Sequence, residues 1–382
     1  MGNLKIKDNI EKLLEKLQKV RRPEPEKIGR ERISAVYEGK ECDHIPILVD
    51  RPAHTINYST EYSIREQFFS KEKMLYETLK RMIEAAKIGS DGQLCIRGNL
   101  GTVLVPSLFG LSPIIPEDTM PWCKEHLSKK EIVNFHIPEG LSGVGLMGKA
   151  LDYMAYFRQR LGDLAHVYLP DTQGPFDIAH LVYGDDIFTE IYDDPGFVHH
   201  LLELCTEMYI RATKVLKEAL GEPEDSGYHG HGMSVGIYMS RGGARVSEDT
   251  PILLSPRHIQ EFVIPYDRKA LVPFKGGFIH FCGENLPLAH HFLRTPEVRG
   301  INLGNSEMYD EREFMKKTLA EGKFYFGSWK RKEDESLLGY FRRVISFLNG
   351  ARKGMIFLLE PENLRGEEAQ YAVSLWREVQ DE

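Results

Sequence analysis

The sequence is short of several things, and each shortage closes off a class of function. No apolar run comes near the ~18 residues that a membrane-spanning helix needs. Acidic residues outnumber basic ones, 57 to 49, for a net charge of −8, and no basic block is interleaved with aromatics. A nucleic-acid surface therefore has no footing here. The five cysteines (Cys42, Cys95, Cys123, Cys205 and Cys282) are odd in number, widely spaced and free of any CxxC pair. Such usage fits reduced thiols rather than a disulfide framework. The opening stretch "MGNLKIKDNIEKLLEKLQKV" is charged throughout, unlike a secretory signal, and Ile6 stands where N-myristoylation wants Ser or Thr. The expected setting is the cytoplasm. A GxxxxGK[ST] phosphate loop is also missing.

What is there is a chain of ordinary globular composition, 42% hydrophobic and 28% charged, long enough to bury a full core. Ile10, Leu13, Leu14 and Leu17 recur at helical spacing, and the prolines of "RRPEPEK" end that helix, which suggests an N-terminal helical arm over 1–29. From residue 30 onward, short β-rich runs alternate with amphipathic helices. The runs are 45–50, 92–97, 165–171, either 228–233 or 244–249, 277–282, 298–304, 323–329 and 354–360. Eight strands alternating with helices predict an α/β fold, a (β/α)8 TIM barrel over 30–382. Residues 100–150, rich in Gly and Pro, do not fit one strand–helix unit and are expected to form an insertion over the barrel mouth.

In such a barrel the chemistry sits at the C-terminal ends of the strands, and several of these runs end in polar residues. In "KGGFIHFCGEN", His280 and Cys282 are two apart, so they share one face of a strand. An imidazole and a thiolate pointing together make half of a zinc site. The competing reading is a satisfied core histidine beside an inert buried cysteine. His229 and His231 in "GYHGHGM" stand at the same spacing, as general acid or base, as further metal ligands, or as structural residues of a glycine-flanked loop. Asn302 ends another strand and is a candidate for substrate contact.

Longer stretches carry a resemblance. "RERISAVYEGKECDHIPIL", "DTQGPFDIAHLVYGDDIFTEIYDDPGFVHHLLELC", "SEDTPILLSPRHIQEFVIPYDRKAL" and "GGFIHFCGEN", in that order and spacing, resemble the uroporphyrinogen decarboxylase superfamily. That superfamily includes a branch of zinc-dependent corrinoid and coenzyme M methyltransferases. The resemblance implies zinc at His280 and Cys282 and a pocket lined by Asp171, Gln173, Glu248 and Asp249. The decarboxylase's arginine-rich motif and aspartate are replaced here by "VDRPAHTINYS" and "CIRGNLGTV", which argues against uroporphyrinogen as substrate. The methyltransferases carry a further cysteine after the last strand; this chain has "FLLEPEN", so Glu360 is the expected third ligand. No DxHxxG cobalamin-carrier motif occurs, so a corrinoid would have to arrive on a partner protein. The expected partners are a small-molecule substrate, a corrinoid protein and a second copy of the chain. The alternatives are a decarboxylase or other lyase that grips a carboxylated substrate with Arg51, Arg97 or Arg245, and a non-catalytic barrel that binds a small ligand.

Overall fold

The computed structural model describes residues 2–50 and 60–382; Arg51 lies outside them. The leucine and isoleucine stripe at the N-terminus does form a helix, Gly2–Val20. Its apolar face is not left to solvent: Ile6, Ile10, Leu14 and Leu17 are buried, and the helix packs on Lys71–Ile88. The prolines after it play a different part from the expected one. Pro23 sits at the first turn of a second helix, Pro23–Tyr37, where a missing N–H costs nothing. The stretch that ends one helix therefore starts the next.

Among the described residues, twelve strands follow in chain order. They are β1 (Ile47–Val49), β2 (Gln93–Ile96), β3 (Pro113–Ile114), β4 (Trp122–Cys123), β5 (His166–Val167), β6 (Gly227–His229), β7 (Val235–Met239), β8 (Ala244–Ser247), β9 (Gly277–Phe281), β10 (Val298–Leu303), β11 (Phe324–Gly327) and β12 (Met355–Leu359). Six of them make a parallel sheet in the order β1-β12-β11-β10-β9-β8. A second sheet runs β5-β2-β7-β6, with β2 and β5 parallel and β7 antiparallel to β2. Both of the alternative fourth runs are therefore strands, in different sheets: β8 joins the parallel ladder and β6 belongs to a hairpin with β7. The two sheets meet through β1, since Asp91 N donates to Ile47 O at 2.9 Å. The result is a mixed α/β fold whose parallel strands read as near-continuous apolar runs, β12 as Met-Ile-Phe-Leu-Leu, all buried.

The insertion holds the β3–β4 hairpin and the short helices Leu104–Leu108 and Lys129–Val133. It also contains a GxGxxG string, Gly143 to Gly148, which follows a loop and not a strand, so it lacks the context of a dinucleotide turn. Gly145 has a packing reason instead: its φ is +50°, and a Cβ there would lie 2.4 Å from Ser107 O. Among the described residues, no helix is long and apolar enough to cross a membrane. All five cysteines are free.

Candidate metal centre

Strand register builds the site. In the parallel ladder Ser247 of β8 and Asn302 of β10 flank His280 of β9. Asp249 and Cys282 are each two residues further on, so they follow on the same face just beyond the strand ends. The carboxylate, imidazole and thiol thus converge, with all three ligand atoms within 4.8 Å of one another. Cys282 Sγ lies 3.4 Å from His280 Nε2, and Asp249 Oδ1 lies 3.6 Å from the same nitrogen. Donors held roughly 2.0–2.3 Å from a tetrahedral zinc stand roughly 3.3–3.8 Å apart, so this spacing fits a zinc ion with one corner left open.

The imidazole is set for that role. Asn302 Nδ2 donates to Phe326 O, which fixes the amide and turns Oδ1 towards His280 Nδ1 at 2.5 Å. Nδ1 therefore carries the proton, and Nε2 presents its lone pair to the cluster. Burial, followed by Arg245, pushes His280 down to about 4, so the ring is neutral near pH 7. Burial and the neighbouring Asp249 push the Cys282 thiol up to about 11. Only a strong positive charge at the site would hold the sulfur as thiolate.

Glu360 is not part of this trio. It ends β12, three strands from β9 in the sheet order, a separation of roughly 14 Å at the usual strand spacing of about 4.8 Å. It stands exposed on the mouth, lining a cavity of about 210 Å³ with His231, Asn302, Glu307, Lys330 and Glu362. Asp249, placed by sequence reasoning among substrate contacts, offers the third donor. Its backbone is fixed from below: Asp249 N and Thr250 N donate to the two oxygens of Asp177, at 2.8 and 2.7 Å. Asp177 was not singled out in the sequence, although an aspartate inside the apolar helix Pro175–Tyr183 was the signal that could have found it.

Glu248 and Asp249, directly after β8, have different surroundings: Asp249 joins the trio, and Glu248 does not. Glu248 points into the helix layer, fully buried, where its oxygens accept from Phe176 N and Asp177 N at 3.0 Å each. Burial and then Asp267 hold its carboxyl well above the usual range, and burial pushes Asp267 up to about 8. These two carboxyls retain protons that exposed acids would release.

A second cluster lies near the trio. Asp171 sits between two arginines, 3.2 Å from Arg97 Nη1 and 2.9 Å from Arg245 Nη1. Burial works to raise its pKa, but Arg245 and Arg97 overcome that and hold it well below the usual carboxylate range. Gln173, in the left-handed region at φ +58°, braces the same carboxylate through its N and Nε2. The Nε atoms of both arginines are buried without a hydrogen-bond partner. His231, at φ +47°, bridges the two clusters, with its ring 4.5 Å from that of His280 and 6.0 Å from that of His229. Burial, with the arginines nearby, holds His229 and His231 well below their ordinary pKa, so both are neutral imidazoles. Trp329 is fully buried and stacked on Tyr325, as packing rather than as a pocket cap.

The mixed α/β architecture has a counterpart among solved structures. The chain is similar to a methyltransferase from Methanosarcina mazei, with a TM-score of 0.66 over 92% of this chain and 98% of that one, at 14% identity. At that identity the likeness is one of fold. No family model matches the chain, and no curated protein matches it in sequence.

Proposed function

We propose that the chain is a zinc-dependent methyltransferase acting on a small molecule, with a corrinoid protein as methyl donor or acceptor. The observation that carries the reading is the trio of Asp249, His280 and Cys282, with the lone pair of His280 aimed into it. The fold likeness to a methyltransferase supports it. In this reading the two sheets are arcs of one (β/α)8 barrel over 30–382, with 1–29 as its arm and the trio at its mouth.

Zinc at such a site supplies a Lewis acid that keeps a soft nucleophile in its anionic form near neutral pH. The chain's own groups do the rest. Asn302 holds the His280 tautomer, Asp177 holds the turn that carries Asp249, and the neutral His231, its ring 4.5 Å from that of His280, would accept a proton there. Glu360 faces the substrate side of the mouth. The test is elemental analysis of untagged protein purified without added metal, followed by methyl transfer from methylcobalamin to a thiol. About one zinc per chain, with transfer abolished by chelation and restored by zinc, is expected; absence of any transition metal would overturn the reading.

One observation favours a second reading, a lyase for a carboxylated substrate. Two buried guanidiniums share the single carboxylate of Asp171 and keep unpartnered Nε atoms, which an anionic substrate would satisfy. A metal-free protein that still binds small carboxylates would favour it.

A further inference from the structure

Among the described residues, no backbone ladder joins the edge strands of the second sheet, β5 and β6, to β8, an edge of the parallel sheet. The seam between them mixes apolar side chains, among them Leu169, Pro170 and Met239, with a set of polar ones. It encloses a cavity of about 30 Å³ whose wall includes Asp171, Thr213, Lys217, Glu222, His229 and Arg245. The helix Pro195–Leu220 closes it from outside with Tyr209, Thr213 and Lys217, three residues spaced by four and so on one helical face. Tyr209 Oη donates to Arg245 O across the seam at 3.0 Å. Lys217, 2% exposed, donates to Ser226 O at 2.9 Å and pairs with Glu222 at 3.2 Å. His229, 6% exposed, has its Nε2 without any partner, as does Arg245 Nε.

A buried water needs about 10–15 Å³ and two to four polar partners. The seam has room for one or two, and its wall supplies the partners. It also has two ends. Asp171, His229 and Arg245 belong to the mouth, whereas Glu222 and Tyr228 also line a separate open cavity of about 500 Å³ that contains Arg30, Arg158 and His166. The seam therefore adjoins solvent on the side away from the candidate centre.

We propose that the seam holds ordered water hydrogen bonded to His229 Nε2, and that this water forms a proton path from the mouth to the Lys217–Glu222 pair at the opposite surface. A proton entering the file at His229 is matched by one leaving to solvent beside Glu222, so no net charge stays in the interior. The path lets the mouth exchange protons with bulk solvent while a substrate covers it. It does not rest on the metal reading, because its test follows His229 and needs neither zinc nor turnover.

The first measurement is a crystal structure of the full chain at a resolution that shows water. The expected result is a water oxygen within about 3.2 Å of His229 Nε2; an empty cavity would overturn the proposal. The second is the exchange rate of the His229 imidazole N–H with solvent, read by ¹⁵N NMR on histidine-labelled protein. Thr213→Val keeps the shape and removes a hydroxyl from the wall, and it should slow exchange about tenfold relative to wild type. Glu222→Gln, at the solvent end, should slow it as well and serves if the first variant fails to fold. Exchange unchanged in a folded variant sinks the path even if water is present.

Discussion

The two clusters at the strand ends are built by different forces. The donor cluster, Asp249, His280, Cys282 and Asn302, hangs on three strands of one hydrogen-bonded sheet, so ladder register sets the spacing. The charged cluster, Arg97, Asp171 and Arg245, spans two sheets with no ladder between β5 and β8, and ion pairs hold it together. A ladder fixes relative position to a fraction of an ångström at no cost in buried charge. Ion pairs across a seam must offset the desolvation of every group they use. The first cluster is suited to metal ligands, whose donor atoms must converge within narrow limits; the second leaves buried donors over, which suits an anion or water.

If that contrast is right, damage to the two clusters should read out differently. Asp171→Ala leaves two buried guanidiniums without their carboxylate and should destabilise the fold by ~3–5 kcal/mol in urea unfolding. A loss under ~1 kcal/mol, the scale of a surface pair, would mean the seam is held by something else. Cys282→Ser should do the reverse, removing most bound zinc with far-UV circular dichroism and urea midpoint nearly unchanged, since a site at strand ends adds little to the core. A variant that unfolds with its metal content intact would make Cys282 packing.

Asn302→Ala probes the same cluster one step out. Without the amide, His280 loses its tautomer control, and zinc affinity should fall about 10–100-fold in a chelator competition titration; unchanged affinity would remove Asn302 from the site. Glu360→Gln should leave that affinity unaltered, because Asp249 and not Glu360 completes the trio.

The smallest effect lies under the donor cluster, in the Glu248–Asp267 pair. Burial raises both carboxyls, so the folded chain keeps protons that the unfolded chain gives up. That stabilisation is complete below the unfolded value of about 4 and is lost as pH rises through about 8, the value to which Asp267 is pushed. Asp267→Asn, neutral at every pH, should flatten the fall in urea midpoint across that window. A slope as steep as in wild type would show that another group carries the proton.

Much of this was legible in the linear chain. The parity of His280 and Cys282 follows from the two-residue period of a strand, and the alternation of β-rich runs with helices indicated the α/β class and, without ambiguity, five of the six strands of the parallel sheet together with β2 and β5 of the second. Glu360 looked equally well placed by parity, since Ile356, Leu358 and Glu360 share a face. Parity, however, says nothing of how many strands separate two strand ends. The prolines at 23 and 25 are ambiguous in sequence, because a proline both stops one helix and starts another.

What the sequence determined by itself was local: which residues alternate, which helix faces are apolar, which side chains have the chemistry to bind a metal. The tertiary structure decided which of those candidates meet. Asp249 stands beside His280 and Cys282 because β8 is hydrogen bonded to β9 in that register, and Asp171 lies between Arg97 and Arg245 because the fold brings β2 and β8, from different sheets, to the same carboxylate. Both are contacts between segments more than 30 residues apart, and they exist only once the chain is folded, because strand pairing and burial, not spacing along the backbone, bring the groups together.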